Sequence, residues 1–368
     1  MGNDFNPDYV VPPGSTLSDL LEERGMYQAE LAGRIGLSTK TLNEIIKGKA
    51  PITPETALHL ENVFGVPARF WNNREVLYRE AIERVEEREQ ILQHAEWVRS
   101  FPYKQMARLF SEYLEDVDGR SQDAVYRQGR SLLTFFGLGT PEQWNEIWLN
   151  PKVAFRKSLA FSSDPKPISA WLQYGLRKAD EMKEVNPYDR TTFVAALRQI
   201  RTMTRESPES FAPRMQQLCA ESGVAIVFTP QIDGAKISGA TQWVRPELAL
   251  IQLSLRGKTN DKFWFTFFHE SAHILLHGKR EVFLEGSEDD QEVEKEEEAN
   301  EWASAFLIPS KRLSDFIVGA DYSLDAVKRF ADVLEIAPGI VVGQLQHKGI
   351  LGYNQLNDLK QKFAWVNK

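Results

Sequence analysis

The segment HESAH, residues 269–273, contains three side chains whose types and spacing could carry chemistry together. His269 and His273 are four positions apart, so on a helix their imidazoles lie one turn apart on one face and can chelate a single ion. Glu270 follows the first histidine and can reach a water molecule at that ion instead of the ion. This division of roles is typical of zinc hydrolases, so the pattern predicts a Zn²⁺ site with Glu270 as general base.

The residues around this segment predict a buried helix. Aromatic residues precede the segment and aliphatic residues follow it, so the helix is apolar almost all round. These residues are Phe263, Trp264, Phe265, Phe267, Phe268, Ile274, Leu275 and Leu276. Burying two histidines and a glutamate there is costly unless they are paired or bound to an ion. The alternative interpretation is a hydrogen-bonded histidine pair in a core.

A third protein ligand is expected, because hydrolytic zinc sites combine three protein ligands with one water. The acidic run from Glu281 to Glu301 offers many candidates, and helical phase narrows them. Glu296 falls on the same face as the apolar stripe of Ala299, Ala303, Phe306 and Leu307, and it is the predicted ligand. Glu292 shares this phase if the helix begins earlier and is the alternative. By the same phase three other glutamates point away, namely Glu297, Glu298 and Glu301.

Two polar residues near these positions are candidates to support the ligands. Asn300 lies one turn after Glu296 and is predicted to hydrogen-bond a ligand histidine. His277 lies one turn after His273, and three roles remain open for it: donor to an oxyanion, support for a ligand, or a residue that ends the helix.

Residues 28–48, QAELAGRIGLSTKTLNEIIKG, predict two short helices joined by a tight turn. The predicted helices are Gln28–Ile35 and Ser38–Ile46, with Ser38 as the N-cap and Gly36 in the turn; a helix over Thr16–Arg24 precedes them. Ala32 provides a small contact between the two packed helices, and Leu42 and Ile45 provide core anchors. The pattern is that of a helix-turn-helix.

The second of these helices would project polar side chains toward base edges and phosphates of double-stranded DNA. The candidates are Ser38, Thr39, Lys40, Asn43 and Lys47. This surface is locally basic, with Arg34 and Lys49 adding to the lysines and Glu44 the one acid among them. The alternative interpretation is a helical module that binds protein.

Bulk composition limits the class of protein. The net charge of −8 argues against non-specific coating of nucleic acid, which requires clustered lysine and arginine. The sequence contains no basic and apolar leader and no stretch apolar enough to span a bilayer, so we expect a cytoplasmic chain without membrane contact. The single cysteine, Cys219, agrees with that compartment and is predicted to be a small buried residue.

The expected fold class is α+β and mostly helical. We predict a helix-turn-helix domain over residues 1–75, a helical connecting region over 76–210, and a C-terminal domain with a small antiparallel or mixed sheet over 211–368. The predicted strands are Val224–Thr229, Ile237–Val244 and Glu247–Leu255. One hypothesis is that the segment from Ile237 to Leu255 presents a free edge to which an extended substrate adds as a strand.

These motifs resemble two known families. QAELAGRIGLSTKTLNEIIKG resembles the XRE-type helix-turn-helix of repressors and HigA-like antitoxins. FTFFHESAHILLH, with EANEWASAFLIP after it, is similar to the ImmA/IrrE metallopeptidases. The tail IAPGIVVGQLQHKGIL also resembles the end of that peptidase domain. Together the similarities cover most of the chain.

The resemblance implies a gluzincin-like core with His269, His273 and Glu296 as zinc ligands and Glu270 as general base. It also implies that the peptidase cleaves a repressor and so releases genes under stress. Because both parts share one chain here, the cleaved protein is a partner or the chain itself. The competing hypothesis is an antitoxin-like or autoregulatory factor whose peptidase-like domain senses a ligand or binds a toxin. Repressors of this type bind palindromic operators as homodimers, and we predict a homodimer.

Overall fold

The computed structural model describes residues 11–149, 164–254, 259–278, 283–284 and 290–363. Only the backbone is described for residues 283–284 and 290–292, so the side chain of the alternative ligand Glu292 lies outside the described part. Leu255, the last residue of the third predicted strand, lies outside the described residues altogether. The chain divides into two compact units between His94 and Ala95. Helix α5 runs through residue 75, and the predicted domain limits at 75 and 210 stay predictions.

The helices of the first unit are α1 (Pro13–Glu23), α2 (Gln28–Ile35), α3 (Thr39–Ile46), α4 (Pro54–Phe64) and α5 (Ala68–Gln93). Those of the second are α6 (Ala95–Arg99), α7 (Tyr103–Leu109), α8 (Gln122–Phe136), α9 (Pro141–Trp148), α10 (Pro165–Glu181), α11 (Arg190–Thr202), α12 (Pro208–Ala220), α13 (Asn260–Leu276), α14 (Asp290–Leu307), α15 (Ser310–Val318), α16 (Leu324–Leu334) and α17 (Pro338–His347). The strands are β1 (Val224–Phe228), β2 (Gly239–Arg245), β3 (Leu248–Leu253) and β4 (Phe283–Leu284).

Local signals fix the turn between α2 and α3. Gly36 ends α2 with a left-handed φ of 73°, a conformation that glycine adopts without steric cost. Ser38 then caps α3, and its Oγ accepts a hydrogen bond from the backbone N–H of Thr41 at 3.0 Å. The predicted bounds of α2 are confirmed, and α3 begins at Thr39, one residue after its predicted start, because Ser38 is the N-cap. Helix α1 begins at Pro13, three residues before its predicted start, because proline fits the first position of a helix.

The core of the first unit is built from one apolar face of each helix. Leu17, Leu31, Leu42 and Leu60 are all 0% exposed, and Trp71 at the start of α5 closes the same cluster. Each fully buried leucine contributes about 1.5–3 kcal/mol relative to an exposed one. The four helices α1 to α4 therefore hold each other in a fixed arrangement, which positions the exposed face of α3.

The second unit contains a four-stranded mixed sheet in the order β1-β3-β2-β4. Strand β1 pairs parallel to β3, with Val224 opposite Ala249. Strand β2 pairs antiparallel to β3, with Thr241 opposite Ile251, and to β4. The expectation of a mostly helical α+β chain with a small mixed sheet is confirmed.

The hypothesis of a free edge over Ile237–Leu255 is wrong for β3 and for the part of β2 that pairs with β4, and for residues 242–245 it stays a prediction. Strand β3 is an interior strand between β1 and β2, and β2 pairs with β4 at Ala240 and Thr241. β3 is buried at every position, Gln252 included, as suits a strand with neighbours on both sides, but its sequence alone does not show which strands lie beside it.

Helix α13 packs against the sheet on one side and against α14 and α17 on the others. Its first residue is tied to a distant segment, because Asn260 N–H donates to Gln361 O at 2.8 Å and Asn260 Oδ1 accepts from Gln361 N–H at 3.1 Å. Phe363 lies next to this link and packs on Phe211 and Phe263. Among the described residues, no helix is long and apolar enough to cross a membrane.

Arg201 of α11 joins the ends of two other helices. Its guanidinium donates to the carbonyls of Phe306 and Leu307 at the end of α14, and to that of Leu334 at the end of α16. Carbonyls in the last turn of a helix lack partners within the helix, so these bonds satisfy groups that would otherwise be buried alone. The contact fixes the end of α14 in the core.

Candidate metal centre and DNA-binding surface

Helix α13 brings His269 and His273 together as their spacing predicts. Their Nε2 atoms are 3.0 Å apart, and the residues are 5% and 1% exposed. Glu296 of α14 faces both rings, with Oε2 at 3.2 Å from His269 Nε2 and Oε1 at 3.2 Å from His273 Nε2. Within the described part of the chain, these three residues form a group whose donor atoms could hold one metal ion.

The electrostatics of this group suit a cation. Burial penalises the imidazolium and lowers the pKa of His273 to about 4, although Glu296 acts in the opposite direction. Burial alone would raise the pKa of Glu296, but hydrogen bonds from His269 and His273 outweigh it and lower that pKa to about 2. Near neutral pH, His273 is therefore neutral and Glu296 ionised. These are the forms in which imidazole and carboxylate bind metals.

The spacing of the donor atoms also fits zinc. Ligand bonds of about 2.0–2.1 Å in tetrahedral geometry place donor atoms roughly 3.3 Å apart. The observed separations of 3.0 and 3.2 Å differ from this by a few tenths of an ångström. Two nitrogens and one carboxylate, with a fourth position left over, form a donor set typical of a hydrolytic zinc site.

Glu270 is held beside these ligands by the sheet. The Oγ1 of Thr241 in β2 is 2.7 Å from Glu270 Oε2 and 2.9 Å from the backbone carbonyl of Glu270. Gly239, also in β2, leaves the space that the carboxylate occupies, because a Cβ there would lie 2.7 Å from Glu270 Oε1. Glu270 is 1% exposed, so these neighbours determine its position. Sequence reasoning missed both residues, since no local signal links β2 to α13.

His277 connects the ligands to a glutamate that phase alone had set aside. Its Nδ1 is 2.8 Å from His273 Nδ1, and its Nε2 is 3.2 Å from Glu298 Oε2. The residue also ends α13, with its backbone N–H bonded to His273 O. The geometry thus combines two of the three roles left open for His277, support of a ligand and helix end. Glu298 is turned to solvent as predicted, with its side chain 58% exposed, yet it reaches this ring.

Asn300 occupies the predicted turn of α14 but a different environment. It is half-buried and lines a cavity of about 1160 Å³ together with Phe265, Leu276 and Trp302. Among the described side chains, no hydrogen bond joins Asn300 to His269 or His273. The hydrogen bond to a ligand histidine that was predicted for Asn300 is made by His277. The phase argument for Glu296 agrees with the structure, where Ala299 and Ala303 are fully buried.

The first unit presents the predicted polar face of α3. Ser38, Thr39, Lys40 and Lys47 are exposed and Asn43 is half-buried. The Ser38 hydroxyl also caps the helix, so part of its hydrogen-bonding capacity serves the fold. Basic side chains adjoin this face, although Arg34 is paired with Glu30 at 2.7 Å. Their contacts with bases and phosphates stay predictions.

Two family models match the regions of the chain that contain the polar face of α3 and the candidate metal centre. Residues 17–71 match a family model described as Helix-turn-helix, and residues 219–341 match the Peptidase_M78 model, described as IrrE N-terminal-like domain. The chain joins an XRE-type helix-turn-helix to an IrrE/ImmA-like domain. The two family resemblances inferred from the sequence are confirmed over residues 17–71 and 219–341. The IrrE/ImmA-like domain contains α13 and α14, and it places the candidate metal centre in a metallopeptidase-like family.

The helix-turn-helix is also similar to segments of two curated proteins. An HTH-type transcriptional regulatory protein of Pyrococcus horikoshii is 44% identical over 59 residues, 16% of this chain and 19% of that protein. Its counterpart in Pyrococcus abyssi is 45% identical over 56 residues, 15% of this chain and 18% of that protein. The chain thus spans less than a fifth of either relative. A solved structure of Pseudomonas aeruginosa antitoxin HigA with the higBA promoter is 28% identical, covers 23% of this chain and 91% of its own, and gives a TM-score of 0.22.

Proposed function

We propose that the chain is a DNA-binding transcriptional regulator whose IrrE/ImmA-like domain is a zinc-dependent endopeptidase. The observation that carries the proposal is the convergence of His269, His273 and Glu296, with donor atoms 3.0–3.2 Å apart, beside the buried carboxylate of Glu270. The substrate is a repressor or another partner protein, or the chain itself.

In this proposal the three ligands hold the ion and Glu270 moves the proton. Zinc, when bound, supplies an activated water and polarises the peptide carbonyl. Glu270 accepts a proton from the water at its carboxylate and delivers it to the leaving amine. Thr241 keeps that carboxylate in one orientation through its hydroxyl, 2.7 Å from Oε2. Gly239 keeps the side of β2 open so that the carboxylate can approach.

The test separates metal binding from proton transfer. Replacement of Glu270 with glutamine should leave about one zinc per chain, because the three ligands are intact, and should abolish cleavage of partner proteins and of the chain itself. Cleavage is followed by comparing the proteome of cells that make the wild-type chain with that of cells that make E270Q. The matched control is Glu297→Gln, an exposed carboxylate on α14 that should change neither property. Cleavage that continues unchanged in E270Q refutes the role of Glu270.

The ligand set has its own test. Glu296→Gln and His273→Ala should each release zinc, since each removes one of three protein ligands. Metal content of purified full-length protein, measured by elemental analysis, decides this without any substrate. Zinc content equal to wild type in both variants would place the ion elsewhere.

The proposal assigns the exposed face of α3 to a DNA operator. Asn43→Ala should reduce discrimination between operator and random duplex, because asparagine reads base edges. Lys47→Gln should weaken binding to both and reduce the salt dependence of log K by about one. Lys311→Gln, an exposed lysine of the second unit, is the charge-matched control. Equal loss of specificity in Asn43→Ala and the control would contradict the assignment.

We also propose that the regulator is a homodimer, which would match the symmetry of a palindromic operator. Apolar side chains that are well exposed on α4 and α5 support an association through the first unit. Leu58 is 56% exposed, and Val76 and Leu77 are each 64% exposed. Light scattering of the DNA-bound protein should give the mass of two chains. A monomeric mass excludes the dimer.

The alternative function is a regulator whose metal domain senses a ligand or binds a toxin without cleaving it. The observation in its favour is burial, since Glu270 and His273 are each 1% exposed. A chain that represses its promoter equally well with Glu270 replaced, and that cleaves nothing in a cell extract, performs this function.

A further inference from the structure

We propose that Glu298 is a positioning residue for the metal centre, which acts through His277 to keep the proton of His273 on Nδ1 and its Nε2 lone pair available to the ion. This inference rests on the proposed zinc site and names a residue outside its ligand set. It follows from three consecutive contacts that run from the ligands to the surface.

The contacts form a continuous path. His273 Nε2 faces Glu296 Oε1 at 3.2 Å, on the side of the ligands. The other nitrogen of the same ring, Nδ1, is 2.8 Å from His277 Nδ1. His277 Nε2 is 3.2 Å from Glu298 Oε2. The two imidazole side chains are 0% and 4% exposed, whereas that of Glu298 is 58% exposed, so the path leads from the interior to solvent.

Metal binding at His273 Nε2 allows only one arrangement of hydrogens on the two imidazole rings. A neutral imidazole that binds a metal through Nε2 carries its hydrogen on Nδ1. His273 Nδ1 therefore donates across the 2.8 Å contact, and His277 Nδ1 accepts. A neutral His277 that accepts at Nδ1 carries its own hydrogen on Nε2. That hydrogen points to Glu298.

Read from the surface end, the path requires the same arrangement. An ionised carboxylate only accepts hydrogen bonds, so Glu298 selects the form of His277 with the hydrogen on Nε2. In the zinc-loaded chain, where the ion would replace the hydrogen that His273 Nε2 otherwise donates to Glu296, that form leaves His277 Nδ1 as an acceptor and selects the metal-binding form of His273. The two ends of the path therefore require the same location for each proton. Only the location of the protons is fixed, and their number does not change.

The end of α13 explains how Glu298 reaches the path. Glu298 is two residues after Glu296, so the two carboxylates leave α14 about 200° apart and cannot bind one ion. Helix α13 ends at Leu276, and the side chain of His277 lies beyond the last turn, where it meets the outer flank of α14. The contact joins the two helices that carry the ligands, next to the ligands themselves.

Three variants at position 298 separate the effects on zinc binding of a hydrogen-bond acceptor, a negative charge and a hydrogen-bond donor at this residue. Glu298→Ala removes the acceptor and should weaken zinc binding about 10–100-fold, the usual effect of losing a partner of a ligand histidine. Glu298→Gln removes the charge but keeps a carbonyl oxygen that can accept from His277, and should restore most of the affinity. Glu298→Lys introduces a donor that opposes the required direction, and should weaken binding at least as much as alanine.

The matched controls are Glu297→Ala and Glu297→Lys, which change the charge at the neighbouring exposed position of α14. Zinc affinity of the full chain is measured by competition with a chromophoric chelator. In parallel, the full chain labelled with ¹⁵N-histidine and loaded with zinc reports which ring nitrogen carries hydrogen. The expected spectrum shows a protonated Nδ1 for His273 in wild type and in Glu298→Gln, and its loss or exchange broadening in Glu298→Lys.

Each outcome decides one question. Equal affinities for alanine, glutamine and lysine at 298 overturn the inference, as does a loss in the Glu297 variants as large as that in the Glu298 variants. A wild-type chain that binds no zinc refutes the proposed function instead. A chain that binds zinc and cleaves its substrate, with all Glu298 variants unchanged in affinity, keeps the proposed function and removes only the role of Glu298.

Discussion

Replacement of Gly239 with alanine should impair the proposed peptidase while leaving its zinc in place. The added Cβ would lie 2.7 Å from Glu270 Oε1, 2.8 Å from Glu270 Cγ and 2.6 Å from Thr266 Cγ2. Glu270 is 1% exposed and cannot turn out to solvent, so it must shift within the space between β2 and α13. The candidate ligands lie on α13 and α14, and none of their atoms is among the three nearest to the added Cβ, so we expect them still to bind the ion.

The size of the effect follows from the distances. Restoring a contact of about 3.5 Å requires the carboxylate to move by roughly 0.8 Å. A misplacement of about 1 Å in a catalytic group costs on the order of 10²-fold, or about 2.7 kcal/mol of transition-state stabilisation. Overpacking should also lower the unfolding free energy by about 1–3 kcal/mol.

The assay compares kcat/KM on a substrate identified by the Glu270→Gln screen with zinc content measured on the same sample. Gly319→Ala is the control, because its Cβ would lie 3.4 Å from its nearest neighbour and its backbone is helical. Wild-type activity in Gly239→Ala would refute the idea that β2 positions the base. Loss of zinc in proportion to activity would show that the clash reaches the ligands instead.

Three further predictions concern the second unit. In chelator-treated protein, acidification below about pH 6.5 should lower the unfolding free energy, because His273 binds a proton in the unfolded chain but stays unprotonated in the native chain, where its pKa is lowered to about 4. Glu296, whose native pKa is lowered to about 2, should lower the unfolding free energy further below about pH 4.5. His273→Ala should flatten this dependence, and an unchanged slope contradicts it. Arg201→Lys should lower the free energy of unfolding measured in urea by about 2–3 kcal/mol, because one lysine cannot donate to the ends of two helices at the same time. The control Arg198→Lys, at an exposed position, should change it little, and equal losses in the two variants would refute the reasoning. Burial raises the pKa of the Cys219 thiol, so it should react with Ellman's reagent only after unfolding, and rapid reaction of native protein would contradict the structure.

The sequence predicted those parts of the molecule that depend on neighbours along the chain. The turn between α2 and α3 is marked by Gly36 and Ser38, which act within one helical turn of their own positions. The convergence of His269 and His273 on one face of α13 follows from helical spacing alone. Glu296 was found because Ala299 and Ala303 set the phase of α14, and phase is a property of one helix.

The remaining parts depend on which elements meet in space. Thr241 and Gly239 act on Glu270 only because β2 lies between β3 and β4, an order that no local pattern encodes. The apolar run of β3 does not distinguish an edge from an interior strand. The helical phase of α14 placed Glu298 on the face that points away from the ligands. Phase does not show that His277, just past the end of the neighbouring helix α13, reaches this face.

The hydrogen bonds between Asn260 and Gln361 affect the order in which parts of the chain can fold during synthesis. A chain made from its N-terminus presents all of α1 to α5 while the partner of Asn260 has still to be synthesised. The core of the first unit is formed by side chains within residues 17–71, all of which are synthesised before α13. The start of α13 acquires its anchor only after about a hundred more residues have followed it. The core of the helix-turn-helix unit is therefore complete in the nascent chain before the start of α13, the helix that carries His269 and His273, is anchored.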